Sequence, residues 1–250
     1  MIKVIVTGPK GKMGSLIVKA AFENEKVEVV GAIGPKGRSY IGQDVGVVTG
    51  LGMPTGALVV ENIEDIIEQC DVIIDFSTVE LSLETLAACI KHGKALVCGT
   101  TGFTKEQEQQ FVEASKQIPL LKAANTSYVT NVMKKLLSLA AEALGEKAKI
   151  DIIDMHDEKK VDAPSGTAKE FAAEMAEASG KELGEITHHS VRAGDISSYH
   201  KVVFGCMGER LEITHNAYNF GCYAIGAVDA ALFLEEKPTG LYSMQDVIGI

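Results

Sequence analysis

The sequence predicts an α/β fold in two parts, and three features predict it. Over residues 2–123, short apolar β-rich runs alternate with segments of helical spacing. The turns after those runs carry glycine or hydroxyl residues, at Gly8, Ser77 and Gly99. Beyond Val129 the alternation stops, and strand-like runs follow one another with few helices between them. That second pattern fits an open mixed or antiparallel sheet.

Ile2 to Thr7 is the opening strand, and it runs into Gly8-Pro9-Lys10-Gly11-Lys12-Met13-Gly14. An amphipathic helix from Ser15 to Phe22 and a second strand from Val27 to Ile33 complete a βαβ unit. Glycines in such a turn let the backbone approach a pyrophosphate, and the next helix offers its N–H groups to it. The spacing is GxxGxxG, so Gly8, Lys10, Gly11, Lys12, Met13 and Gly14 are the expected pyrophosphate contacts. The first part therefore reads as an N-terminal Rossmann dinucleotide-binding domain.

Where NAD-preferring folds place a carboxylate after the second strand, this chain has Gly34-Pro35-Lys36-Gly37-Arg38. Lys36 and Arg38 suit a 2′-phosphate, which favours NADPH or use of both NADPH and NADH. Ala57–Val60 follows as a strand, 63–69 as a helix, 71–76 as a buried strand and 81–92 as a helix. The strand at 94–98 ends in Gly99-Thr100-Thr101-Gly102, with a helix at 104–117 and a strand at 120–123 after it. Ligands of open α/β sheets lie beyond the carboxyl ends of the strands. Ser77, Gly99, Thr100, Thr101, Asn125 and Ser127 are thus expected around the cofactor, with the turns at Gly8, Ser77 and Gly99 lining one crevice.

Val132, Met133, Leu136, Leu137, Ala140, Ala141 and Leu144 have helical spacing up to Gly145. A strand at 149–155, a helix from about Ser165 to Ser179, and strands at 186–192, 200–204 and 210–215 make a second α+β domain on an open mixed sheet. The apolar helix at 220–234 is expected to return to the first domain. The boundaries read as 1–127, completed by 218–250, and 128–217.

The 46% hydrophobic and 23% charged content is that of an ordinary globular protein. A net charge of -10 argues against nucleic-acid binding, which needs a basic surface. No apolar run approaches the ~18 residues of a membrane helix. Five scattered cysteines without a CxxC pair fit reduced thiols, and the expected location is cytoplasmic.

His156 to Ala168 concentrates the chemistry: HDEKKVDAPSGTA. His156 can move a proton near neutral pH, and Lys160 can place a charge on an anion. Ser165, Gly166 and Thr167 open a helix whose N–H groups suit a carboxylate. Asp154, His156, Asp157 and Glu158 are possible metal ligands, but neighbours on a strand face opposite ways, and no metal site is expected. His92, His188, His200 and His215 read as structural or surface residues.

With these residues in view, the whole chain resembles the 4-hydroxy-tetrahydrodipicolinate reductase (dihydrodipicolinate reductase) family of the diaminopimelate route to lysine. The resemblance rests on Gly8 to Gly14, Ile73-Ile74-Asp75-Phe76-Ser77, Cys98 to Gly102, Ala124-Asn125, Lys160 to Ala168 and Gly208 to His215. It implies NAD(P)H-dependent hydride transfer to a conjugated cyclic imine bearing two carboxylates, followed by protonation. His156 would be the proton donor and Lys160 would stabilise the substrate, while Gly166 and Thr167 would hold a carboxylate. A homotetramer built through the second domain is implied as well. Three positions depart from the pattern: Asp157 stands for a second histidine, Phe220 for an arginine, and Asn125-Thr126-Ser127 for Asn-Phe-Ser. Asp157, at a substrate-contacting place, brings a negative charge to a dicarboxylate.

Overall fold

Strand β4 (Val72–Asp75) sits near the middle of a seven-stranded sheet, and all four of its residues are buried. Strands covered on both faces lose the alternation of half-exposed ones, which is why this run reads as continuously apolar. The computed structural model describes residues 1–250. These divide into two units, Met1–Ser127 with Gly221–Gly249, and Tyr128–Phe220 with Ile250. The return segment begins at Gly221 rather than at Tyr218.

In the first unit, β1 (Ile2–Thr7), β2 (Val27–Ile33), β3 (Leu58–Val60), β4, β5 (Ala95–Cys98), β6 (Pro119–Lys122) and β11 (Gly240–Tyr242) lie in the order β11-β6-β5-β4-β1-β2-β3. Every pairing is parallel. The order reverses between β1 and β4, the switch point at which dinucleotide folds bind their ligand. Helices α1 (Lys12–Phe22), α3 (Val79–His92), α4 (Lys105–Ala114) and α7 (Gly221–Glu235) belong to the same unit.

Several expectations need correction. Helix α1 begins at Lys12 instead of Ser15, because Gly11 takes the extended conformation of an N-cap. Lys12, Met13 and Gly14 therefore form the first helical turn and not the loop. The segment 63–69 is two 3-10 turns, Ile63–Asp65 and Ile67–Gln69, interrupted at Ile66. Helix α2 (Val45–Thr49), strand β11 and helix α8 (Met244–Ile248) were not anticipated. The Asp44 side chain builds the α2 region by accepting from Gly46, Val47, Thr55 and Gly56 N–H groups.

Helix α7 packs on α1, β4, β5 and β6. The approach is close: a Cβ on Gly226 would lie 1.8 Å from the Thr126 carbonyl oxygen. Thr126 is buried, and its hydroxyl donates to the Tyr223 carbonyl at 2.6 Å.

The second unit holds α5 (Tyr128–Leu144), α6 (Gly166–Ser179) and the sheet β10-β9-β7-β8, formed by β7 (Lys149–His156), β8 (Thr187–Arg192), β9 (Ser198–Cys206) and β10 (Glu209–Ala217). β7 and β8 are parallel, and the other pairs antiparallel, so the sheet is mixed. The β7 pattern alternates strictly after Lys149, burying Ile150, Ile152, Asp154 and His156. Alternation puts His156 on the face that also carries Ile150 and Ile152, which join Met133, Leu137, Phe171 and Met175 in one core. No helix is long and apolar enough to cross a membrane.

Candidate active site

The glycine turn of the first unit is built by close contact. Gly8 has φ +64°, the left-handed region that favours glycine, and a Cβ on Gly14 would lie 2.1 Å from the Gly8 carbonyl oxygen. The start of α1 is thereby pressed against the end of β1. Beside this turn lies a cavity of about 580 Å³ lined by Gly8, Lys10, Gly11, Lys36, Arg38 and Ser77, among others. Thus residues expected at the phosphate and at the ribose share one space.

Glu61 also lines this cavity and was not anticipated. It follows β3, whose Val60 pairs with Ile33 of β2, and its Oε2 accepts from Gly37 N–H at 2.9 Å. An acid thus stands beside the end of β2, just after the neighbouring strand. Lys10 also donates to the Val48 carbonyl at 3.3 Å.

Gly99, Thr100 and Thr101 do not line this cavity; neither do Lys12, Met13, Gly14, Asn125 and Ser127. The turn after β5 is joined to Ser77 through a buried carboxylate instead. Asp75, fully buried, accepts from Thr7 Oγ1 at 2.5 Å and Ser77 Oγ at 2.6 Å. Its other oxygen accepts from Thr100 Oγ1 at 3.0 Å and from Ser82 Oγ. Thr100 Oγ1 in turn accepts Ser77 N–H at 2.9 Å. The Thr100 side chain is therefore committed to the protein and braces the ends of β4 and β5. Gly99 is glycine because a Cβ there would meet the Phe76 ring. Asn125 Oδ1 accepts from Ser127 N–H at 2.9 Å, shaping the last turn of this series.

In the second unit His156 is 7% exposed, at the end of β7. Its Nδ1 lies 3.1 Å from Asp154 Oδ1, and its Nε2 3.2 Å from Ser198 Oγ. Asp154 also accepts from Ser190 Oγ at 2.5 Å and from Arg192 at 2.9 Å. Burial pushes the Asp154 carboxyl up, but the Ser190 and Arg192 hydrogen bonds outweigh it and hold the group below the ordinary aspartate value. For His156, burial and then the Lys160 charge lower the pKa, against the pull of Asp154. These surroundings favour the neutral imidazole over the imidazolium.

The loop after His156 is ordered by its own polar groups. Asp157 Oδ1 accepts from Lys159 N–H at 3.0 Å, so this carboxylate is turned onto its own backbone. Lys160 Nζ lies 2.8 Å from Asp162 Oδ1, and this contact lowers the Asp162 pKa. Arg192 binds the Asp162 carbonyl as well as Asp154, tying the loop to β8. The Ala163–Pro164 peptide is cis. Ser165 caps α6 by accepting Ala168 N–H at 3.2 Å, and Gly166 opens the helix with open space where a side chain would stand.

His200 and His215 are buried members of this site rather than surface residues. His200 Nε2 is 3.2 Å from Ser165 Oγ, and its ring stacks on His215 at 6.1 Å. Burial, then the neighbouring His156 and His215, bring the His200 pKa down to about 3. No set of histidine, cysteine and acidic side chains is arranged to hold a metal ion.

Known proteins match along the full length. Family models for the dihydrodipicolinate reductase N-terminus and C-terminus match residues 2–126 and 129–248. The chain belongs to the dihydrodipicolinate reductase family. The 4-hydroxy-tetrahydrodipicolinate reductase of Hahella chejuensis is 39% identical, with 100% of each chain covered. That of Pseudomonas fluorescens is 40% identical with the same coverage. A solved dihydrodipicolinate reductase from Paenisporosarcina sp. TG-14, described as dipicolinate-bound, superposes with a TM-score of 0.81 at 28% identity, covering 99% of each chain. Membership makes the protein a nicotinamide-dependent oxidoreductase, and the seven-stranded sheet is the expected nucleotide-binding half.

Proposed function

We propose that the protein reduces 4-hydroxy-tetrahydrodipicolinate (dihydrodipicolinate) to tetrahydrodipicolinate with NAD(P)H, in the diaminopimelate route to lysine. The observation that carries this is the Asp154–His156–Lys160 arrangement directly before a capped helix N-terminus, in a chain matched end to end by the family. A dicarboxylate needs cations and N–H donors, and the substrate-facing set is Lys160 with the N–H groups of Gly166 and Thr167, held in place by the buried Ser165 cap. A bound nicotinamide would supply hydride to a ring carbon of the conjugated imine. The adjacent carbon then takes a proton from His156, which substrate carboxylates help to protonate by offsetting Lys160.

On the cofactor side, Gly8, Lys10, Gly11, Lys12, Met13 and Gly14 serve the pyrophosphate. Lys36 and Arg38 serve a 2′-phosphate, and Ser77, Gly99, Thr100, Thr101, Asn125 and Ser127 shape the nicotinamide end. Asp157 acts on substrate through the loop turn that it holds. Dipicolinate in the Paenisporosarcina enzyme supports a flat dicarboxylate as ligand.

Assembly into a homotetramer through the second unit completes the reading. Its support is an exposed apolar stripe on α5, with Val129, Val132, Leu136 and Leu139 between 36% and 62% exposed. A cytoplasmic location fits the five free cysteines. Steady-state oxidation of NADH and NADPH with enzymatically generated substrate tests the reaction. Cofactor binding without turnover would sink it, and turnover of an oxo acid only with ammonia would instead indicate an amino-acid dehydrogenase.

A further inference from the structure

Ser198 stands between two buried imidazoles. Its Oγ is 3.2 Å from His156 Nε2 and 3.5 Å from His200 Nδ1. His200 Nε2 is 3.2 Å from Ser165 Oγ, which caps α6. All four residues are at most 7% exposed, so each polar atom depends on the others for hydrogen bonds.

The inventory of donors and acceptors orients this chain. The Asp154 carboxylate only accepts, so the neutral His156 carries its hydrogen on Nδ1 and presents the Nε2 lone pair. Ser198 must then donate to Nε2, and its oxygen accepts from His200 Nδ1–H. His200 Nε2 is left as an acceptor for the Ser165 hydroxyl, whose oxygen receives Ala168 N–H.

We propose that Ser198 is a positioning residue that lets His156 gain and lose its proton in a buried site. When His156 is neutral, Ser198 donates to Nε2. When His156 is an imidazolium, Nε2–H donates to Ser198 Oγ, and the Ser198 hydroxyl turns to His200 Nδ1. His200 compensates by changing tautomer: its Nδ1 hydrogen replaces the Ser198 hydrogen that went to His156, its Nε2 takes the Ser165 hydrogen, and one proton from solvent refills Ser165, so that Nε2–H now donates to Ser165 Oγ. No net charge moves beyond His156, and no buried imidazole nitrogen loses its partner in either state.

The charged and titratable groups facing His156 are Asp154 on its own strand, Lys160 in the loop, Arg192 on β8 and His200 on β9, on whose ring His215 of β10 stacks. Lys160 and Arg192 disfavour the imidazolium, and Asp154 alone favours it. The Ser198 oxygen adds an acceptor for Nε2–H without adding a charge. Hydrogen bonds to an ion are stronger than neutral ones, so loss of this oxygen harms the imidazolium more than the neutral ring.

The catalytic part of this inference rests on His156 as proton donor, but the hydrogen-bond part does not. Nitrogen-detected NMR of the intact protein should find both His156 and His200 as Nδ1–H tautomers at pH 8. The His156 signal is identified by its absence in His156→Gln. Ser198→Ala should lower the His156 pKa by half a unit or more. It should move the alkaline fall of kcat/KM to lower pH by the same amount, so that the lost activity returns on acidification. Ser198→Thr should restore both. A neutral His156 with its hydrogen on Nε2, or a His156 pKa in Ser198→Ala within 0.2 of the wild type, overturns the proposal. The tautomer measurement needs no Ser198 variant and decides the matter even if Ser198→Ala does not fold. A pKa that moves while the rate profile stays fixed leaves the hydrogen-bond chain standing and removes His156 as the proton donor.

Discussion

Arg192 and His156 share one oxygen: Asp154 Oδ1 lies 2.9 Å from the Arg192 guanidinium and 3.1 Å from His156 Nδ1. A single buried carboxylate thus fixes an imidazole tautomer and anchors the arginine that ties the loop to β8. Asp154→Asn removes the charge that favours the imidazolium and leaves the Arg192 charge without its carboxylate, with only backbone carbonyls as partners. kcat/KM at neutral pH should fall by about 10²–10⁴-fold, the range of general-acid effects. Stability should drop by up to about 3 kcal/mol, the low end for a broken buried pair because Arg192 keeps partial solvent contact. Parallel kinetic and urea-denaturation measurements separate the two losses.

Lys160→Ala removes a cation whose partner, Asp162, lies in the same loop. kcat should fall by about 10²–10³-fold, as when one electrostatic stabiliser of a transition state is deleted, while cofactor affinity is retained. Nucleotide fluorescence titration beside steady-state kinetics checks both halves, and an unchanged rate removes Lys160 from its role.

Folded-state pKa values below the ordinary 6.5 make His200, His215 and His156 sources of acid sensitivity. Above pH 6.5 neither folded nor unfolded chains protonate these rings, and stability is at its plateau. As pH falls below 6.5 the unfolded chain takes up protons that the folded chain refuses, so stability falls. His200 continues this trend down to about pH 3. Between those two values His200 contributes a slope approaching about 1.4 kcal/mol per pH unit. Urea midpoints at pH 7.5 and 5 should differ less in His200→Gln than in the wild type.

Glu61 faces the cavity that holds Lys36 and Arg38. Glu61→Gln should improve NADPH binding relative to NADH by about tenfold, the scale of one close charge repulsion in partly screened surroundings. The ratio of the two dissociation constants is the measurement. An unchanged ratio means that Glu61 holds Gly37 and does not meet the ribose.

Gly226→Ala sets a methyl group against the Thr126 backbone. Neither partner is a flexible side chain, so a cost of at least about 1–3 kcal/mol is expected, read as a lower thermal midpoint.

Much of the nucleotide-binding half was legible because parallel strands buried on both faces leave continuous apolar runs such as Val72–Asp75. Helix α2 was not, since its start depends on Asp44 gathering N–H groups as far away as Gly56. Strand β11 is only Gly240–Tyr242, too short to show a period. In the second unit the loop from His156 to Thr167 announced itself by composition. His200 did not, because a histidine at an inward position of an alternating strand looks like any core residue. Ser198 and Glu61 have no local signal at all; their partners are His156 and Gly37, 42 and 24 residues away.

The first unit is interrupted by the second, leaving at Ser127 and resuming at Gly221. On the ribosome the seven-stranded sheet therefore waits: α7, which covers β4 to β6, and β11, its edge, are translated last. Residues 128–220 are contiguous and emerge while the earlier-made sheet still lacks its cover. The later part of the chain can finish folding before the earlier part, and nascent chains stalled before Gly221 should expose the apolar face of β4–β6 to chaperones.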